Sequence, residues 1–315
     1  MIGDDGRLSQ QPNARQNGNF EDIKSLIALT GATGFVGQRV LALADAPLRA
    51  LTRRPQADQP NITWIQGDLA DTAALARLCE GASAILHIAG IVNAPTRAAF
   101  DAGNVAGTAT VLAAAKAAGV RRFVHVSSLA AREPQLSMYG ASKAEAERLV
   151  MASDRDWVIV RPPGVYGPTD AEMLDIYKLA TRGLYIAPPG RISLIHVDDL
   201  ARALLALADG GPSKTILEID DGAANGHSHP DFARTIGAAL GKRVRVVPLP
   251  LSMLHVAAKI GISAKLTPDR ARYIAHPDWV ARGGNAALAG VWTPQISLAE
   301  GVADTVAGYR ARNWL

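Results

Sequence analysis

From Ser25 onward, short runs of branched apolar residues alternate with alanine-rich stretches whose apolar positions recur at helical spacing. A strand buried on both faces reads as a continuous apolar run, and its parallel neighbour can be reached only through a long, usually helical, crossover. The pattern therefore predicts βα units. It places strands near 25–30, 47–52, 62–66, 84–88, 122–127, 157–161 and 215–219, and helices near 35–45, 71–79, 97–118 and 139–152. The expected fold class is α/β, a Rossmann-type doubly wound parallel sheet with helices on both faces.

Past about residue 165 the alternation loosens. Segments rich in Pro and Gly ("YGPTDAEM", "IAPPGRIS", "IDDGAANGHSHPD", "RVVPLPLSM") interrupt it. The chain is expected to divide into a Rossmann domain of residues 25–165 plus about 190–220, and a smaller substrate-binding cap of about 166–190 and 221–315. Residues 1–24 are polar, lack the apolar stretch of a signal peptide, and read as a flexible N-terminal extension.

Composition narrows the partners. Lys and Arg exceed Asp and Glu by 33 to 29, but they are scattered rather than gathered in a tract, so no nucleic-acid partner is expected. The net charge of +4 suits an anionic ligand. A single cysteine, Cys79 in "LARLCEGA", precludes an internal disulfide and reads as helix packing. No run reaches the length of a membrane span, and a cytoplasmic location is expected.

In "ALTGATGFVGQRV" (28–40), Gly31, Gly34 and Gly37 follow an apolar strand and open a helix. Such a turn points unpaired backbone N–H groups and the positive end of a helix dipole at one spot, where a pyrophosphate can sit. Gly31, Thr33, Gly34, Phe35, Val36 and Gly37 are its candidate cofactor-binding residues. At the end of the next strand an acid would select NAD and a guanidinium the 2′-phosphate of NADP. "LRALTRRPQ" places Arg53 and Arg54 there and no carboxylate, so NADP is expected over NAD; a merely solvated basic turn is the alternative.

The spacing of "TGATGFVG" resembles the short-chain dehydrogenase/reductase superfamily, in its extended and atypical, epimerase/dehydratase-like branches. "GDLAD" (67–71), "HIAG" (87–90), "NVAGT" (104–108), "HVSSLA" (125–130), "YGASK" (139–143), "RPPGVYGP" (161–168) and "HVDDLA" (196–201) resemble its further landmarks in order. The resemblance implies that Asp68 and Leu69 flank the adenine, that Ala89 and Gly90 lie beneath its ribose, and that Pro162 and Val165 line the nicotinamide side. It also implies a homodimer, formed through the helices carrying "NVAGT" and "YGASK".

Tyr139 and Lys143 are four apart and share one helix face. A neighbouring ammonium favours a phenolate, so Lys143 is expected to lower the Tyr139 pKa and fit it for proton relay. By resemblance Lys143 also holds the nicotinamide ribose. Ser127 and Ser128 end a strand, where a hydroxyl can donate to a carbonyl oxygen as charge develops on it. The resemblance favours Ser128, with the register between the two left open. Asn104 either orders a helix bend and a water near Lys143 or caps a helix. Glu147 reads as structural, Asp198 and Asp199 as N-capping, His196 as packing, and "HSH" (227–229) as solvated, with no metal expected.

These residues point to an NADP-dependent oxidoreductase moving a hydride between the cofactor and a small-molecule carbonyl or alcohol, with Ser128, Tyr139, Lys143 and Asn104 as its catalytic set. A nucleotide-sugar epimerase with retained cofactor is an alternative, weakened because Gly164 stands near where such enzymes carry a phosphate-binding Asn. Arg182 or Arg191 could supply the missing donors. "LAA" after Ser128 lacks the acidic pair of the dehydratases. A non-catalytic NADP-binding sensor or accessory subunit is the other alternative; "RVRVVPLPLSMLHVAAKIG" would be its docking surface, or else a buried cap helix.

Overall fold

The computed structural model describes residues 25–250, 252–254, 258 and 267–315; the N-terminal extension lies outside them. Seven parallel strands form the central sheet: β1 (Ile27–Thr30), β2 (Leu48–Thr52), β3 (Ile62–Gln66), β4 (Ala84–His87), β5 (Arg122–Val126), β6 (Asp156–Arg161) and β7 (Thr215–Glu218). Their order is β7-β6-β5-β4-β1-β2-β3. The chain winds outward from β1 to β3, crosses back, and resumes at β4 on the other side of β1. The crevice beyond the carboxyl ends of β1 and β4 is thus the switch point where ligands of open α/β sheets bind.

Residues alternate between the two faces of each strand, and the burial follows. Ile27, Leu29, Ala84, Leu86, Val124, Val126, Val158 and Val160 join one core with helices α1 (Phe35–Leu43) and α7 (Val197–Asp209). Ala28, Ile85, Phe123 and Ile159 face the other, with Leu75, Leu78 and the fully buried Cys79 of helix α2 (Thr72–Cys79). The cysteine is a packing residue, as expected.

The helix expected over 97–118 is interrupted. It runs as α3 (Arg97–Phe100), a π-helical segment Asp101–Ala106, and α4 (Gly107–Ala117). Single π turns inside helices often mark functional positions. Helix α5 (Met138–Met151) starts at Ser137, whose side chain accepts from the Gly140 N–H.

A third apolar cluster joins Tyr166, Tyr177, Tyr185, Phe232, Ile236, Val306 and Tyr309, drawn from helices α6 (Leu174–Thr181), α8 (His229–Leu240) and the C-terminal helix Leu298–Ala311. Short strands knit it together: 184–187 pairs with 245–248, and 191–192 lies between 227–228 and 278–279. Leu288 and Trp292, although late in the chain, pack into the sheet core instead.

Two local expectations are corrected. Asp198 and Asp199 do not cap α7: the N-cap is His196, whose Nδ1 accepts from the Asp198 N–H. Asp198 instead receives both Nε and Nη2 of Arg39 at 2.5 and 2.8 Å, tying α7 to α1, while Asp199 accepts the N–H groups of Gln295 and Ile296. The histidines of "HSH" are not solvated either. His227 bonds Asp221 at 2.6 Å, and the buried His229 bonds the Tyr185 hydroxyl at 2.8 Å, because the loop folds back as a strand against 191–192. Among the described residues no cluster could hold a metal ion.

Candidate active site

Gly31 adopts φ +79°, and a Cβ there would lie 2.6 Å from the Ala89 nitrogen, so the turn after β1 is pressed against the end of β4. At Gly37 a Cβ would lie 2.0 Å from the Gly31 carbonyl oxygen. Only glycine lets α1 approach its own turn so closely. Gly34 occupies the N-cap of α1 and, having no side chain, leaves that end without a cap; no acid stands in the first turn. The free N–H groups around Thr33, Phe35 and Val36 suit an anionic group.

Arg53 and Arg54 follow β2, exposed, and neither is ion-paired to a carboxylate among the described residues. Asp68 accepts from the Ala70 N–H, shaping the turn after β3, and the Leu69 carbonyl accepts from Thr110 on α4. Gly90 continues the end of β4. A Cβ there would stand 3.0 Å from Asn104 Oδ1 and 3.6 Å from Lys143 Nζ, so a bare backbone faces these two groups. The close-approach glycines and the uncapped start of α1 suit a dinucleotide pyrophosphate, and two guanidinium groups, unpaired among the described residues, stand after the next strand.

Asn104 is buried inside the π-helical segment, which excludes the helix-cap alternative. Its Oδ1 accepts from the Ile91 N–H at 2.7 Å, and its Nδ2 donates to the Ile91 carbonyl at 3.0 Å and to Ser142 at 2.9 Å. One side chain thus fixes the loop after β4 against α5, the helix that carries Tyr139 and Lys143.

The two serines take different partners. Ser127 donates to the buried Glu147, whereas Ser128 caps the short 3-10 turn Leu129–Arg132 and lies near enough to Tyr139 to pull its pKa down. Gly140 lets α5 lie against that turn, since a Cβ there would meet the Ala130 carbonyl at 2.6 Å. Pro162 receives the Leu129 N–H at its carbonyl, and Val165 pairs beside Ile195.

Lys143 is 4% exposed and donates to the Val126 carbonyl at 2.7 Å; desolvation lowers its pKa to about 8, with Glu147 opposing. Behind it His87 and His125 stack at 5.3 Å, both held neutral, chiefly by burial. His87 bridges Thr30 and Thr108. The expectation that Lys143 lowers the Tyr139 pKa is not met: burial raises it, and the opposing pull comes from Ser128. One of the three ammonium N–H groups goes to the Val126 carbonyl.

Sequence reading missed two features. A charge chain runs Ser127–Glu147–Arg161–Glu218–Arg132, in which Arg161 donates to both Glu147 oxygens at 2.8 and 2.6 Å and approaches Glu218 at 3.5 Å. Arg132 then donates to the carbonyls of Asp278 and Val280. The serine strand is thereby tied to the segment opposite it. The second feature is an aromatic wall. Asp269 accepts from the Met138 N–H and seats helix Pro268–Ala275 on the start of α5. Tyr273 from that helix lies within electrostatic reach of Tyr139, with its own pKa raised to about 12 chiefly by burial, and it stacks on Trp279 at 4.5 Å. Phe100 lies 6.1 Å from the Tyr139 ring. No spacing rule links positions 100, 139, 273 and 279.

A family model described as NAD(P)H-binding matches residues 31–209. A ceramide reductase of Caulobacter vibrioides is 36% identical over 93% of this chain and 97% of its own. A ketoreductase of Stigmatella aurantiaca, acting on a farnesylated dihydroquinoline oxide, is 30% identical over 75% of this chain and 79% of its own. Among solved structures, the Bordetella bronchiseptica enzyme WbmG in complex with NAD matches the fold with a TM-score of 0.74 at 18% identity, covering 94% of this chain and 97% of that one.

Proposed function

We propose that this chain, which belongs to the extended, NAD(P)-binding branch of the short-chain dehydrogenase/reductase superfamily, is an NADP-dependent reductase of a carbonyl on a largely apolar molecule. The observation that carries the reading is the placing of Ser128 near enough to Tyr139 to pull its pKa down, one helical turn from Lys143, with the Phe100 ring 6.1 Å from the phenol ring. The nicotinamide cofactor, when bound, supplies the hydride. Ser128 and Tyr139 both present O–H groups to the substrate oxygen, and Tyr139 delivers the proton as charge develops there. Lys143 holds a positive charge behind the phenol and replenishes its proton. Asn104 acts as a positioning residue through Ile91 and Ser142.

The pyrophosphate is assigned to the N–H groups of the Gly31–Gly37 turn, and the 2′-phosphate to Arg53 and Arg54, whose guanidinium groups have no carboxylate partner among the described residues. Gly90 gives the ribose room beside Lys143. The apolar substrate class is supported by Tyr273 beside Tyr139, and by relatives named for ceramide and for a farnesylated dihydroquinoline oxide. The nucleotide-sugar epimerase reading is the weaker alternative. Gly164 lacks the phosphate-binding Asn, a Cβ there would press on the ends of the Leu194 and Met173 side chains at 2.9 Å, and Arg191 donates to the carbonyls of Asn225 and Gly226.

The test is to titrate the protein with NADPH and NADH, then to follow NADPH oxidation with 3-oxo lipids and small polar ketones. Preferred NADPH binding and turnover with the lipids is expected. Tight retention of NAD, or turnover confined to nucleotide sugars, would overturn the reading.

A further inference from the structure

We infer that the outer face of the strand pair 184–187 and 245–248 is a docking surface for an anionic lipid bilayer. The pair is parallel, with Leu184 opposite Arg245 and Ile186 opposite Val247. Side chains alternate, so Tyr185 and Ala187 turn into the apolar cluster beneath while Leu184, Ile186 and Val247 face outward, 39, 49 and 39% exposed. Exposed apolar side chains gathered on one face mark an interaction surface more often than scattered ones do.

The rim identifies the partner. Lys178, Arg182, Lys242, Arg243 and Arg245, on these strands and the segments leading into them, are exposed, with Lys242 donating to the Thr181 carbonyl, and the segments 178–187 and 242–248 contain no Asp or Glu. None of the three arginines is ion-paired to a carboxylate among the described residues. Long basic side chains can lay their stems along an apolar surface while their heads reach phosphate, which is how a protein rests at a headgroup layer. A protein partner would instead call for a larger apolar centre depleted of charge. Each basic group near an anionic leaflet contributes about fivefold to partitioning. This surface is separate from the catalytic residues, and the inference holds whether or not the substrate is a lipid.

The experiment is co-sedimentation of the full chain with vesicles of phosphatidylcholine plus phosphatidylglycerol, and with phosphatidylcholine alone, at low and high salt. Binding is expected to the mixed vesicles and to fall with salt. Arg243→Gln with Arg245→Gln should lower it about 25-fold, at about fivefold per charge. Ile186→Ser should weaken it as well, while NADPH affinity and turnover of a water-soluble ketone stay unchanged in both variants. No binding to mixed vesicles, or binding that the arginine variants do not reduce, overturns the inference. So does a change in sedimentation coefficient with Ile186→Ser, which would make the face a contact between copies of the chain. A protein that binds vesicles but reduces no carbonyl would refute the enzymatic reading alone.

Discussion

Replacing Lys143 by Met removes a charge that the fold holds at a cost. Burial brings the lysine pKa from 10.5 to about 8. At about 1.36 kcal/mol per unit, the charged form is disfavoured in the native state by roughly 3 kcal/mol. Methionine is similar in length and pays no such desolvation, but it leaves the Val126 carbonyl without its donor, a loss of about 1–2 kcal/mol. The variant should therefore be more stable than wild type at pH 7 by about 1–2 kcal/mol, a Tm higher by about 2–4 °C. The pH dependence gives the sign. Below pH 8 both native and unfolded lysine are protonated and the full penalty stands. Between pH 8 and 10.5 the unfolded chain binds more protons, so wild type gains stability as pH rises, and above that range the order of the two proteins reverses. Urea unfolding at pH 7 and pH 10 would show it, alongside loss of turnover. A variant less stable at pH 7, by the same amount at both pH values, would refute the reasoning.

Glu147→Gln strips a buried carboxylate of its pairing with Arg161 and should cost about 3–5 kcal/mol in urea unfolding, because a guanidinium is left buried with only the more distant Glu218. A cost below about 1 kcal/mol would show the chain from Ser127 to Arg132 to be incidental. Arg53→Ala should weaken NADPH binding by about 10–100-fold, the worth of a charge-assisted phosphate contact, and leave NADH binding unchanged in a fluorescence titration. Tyr273→Ala should raise KM for apolar ketones more than it lowers kcat; equal effects on small and large ketones would remove Tyr273 from the substrate wall.

The sheet was readable because each of its strands carries its own signal. All seven fall within two residues of where apolar runs place them, since strands buried on both faces are largely apolar and the edge strand Ile62–Gln66 still alternates. The glycine turn, Tyr139 and Lys143 were readable because turn and helix geometry are local. What was not readable depends on contacts distant in the chain. Asp198 reads as a cap until Arg39, 159 residues earlier, is folded beside it. His229 reads as solvated until Tyr185 closes over it. The break at Asp101–Ala106 follows from Asn104 clasping Ile91, which no helical period announces. Likewise, Lys143 and Tyr139 share a face as expected, yet burial is the largest influence on the protonation of both, with Ser128 and Glu147 opposing it.

The most direct measurement is single-turnover oxidation of NADPH by wild type and by Tyr139→Phe, with cofactor affinity measured on both. The phenol hydroxyl is assigned only the proton delivery, so the variant should bind NADPH as wild type does and transfer hydride about 10²–10⁴-fold more slowly. Undiminished transfer in Tyr139→Phe, with cofactor bound equally well, would contradict the account.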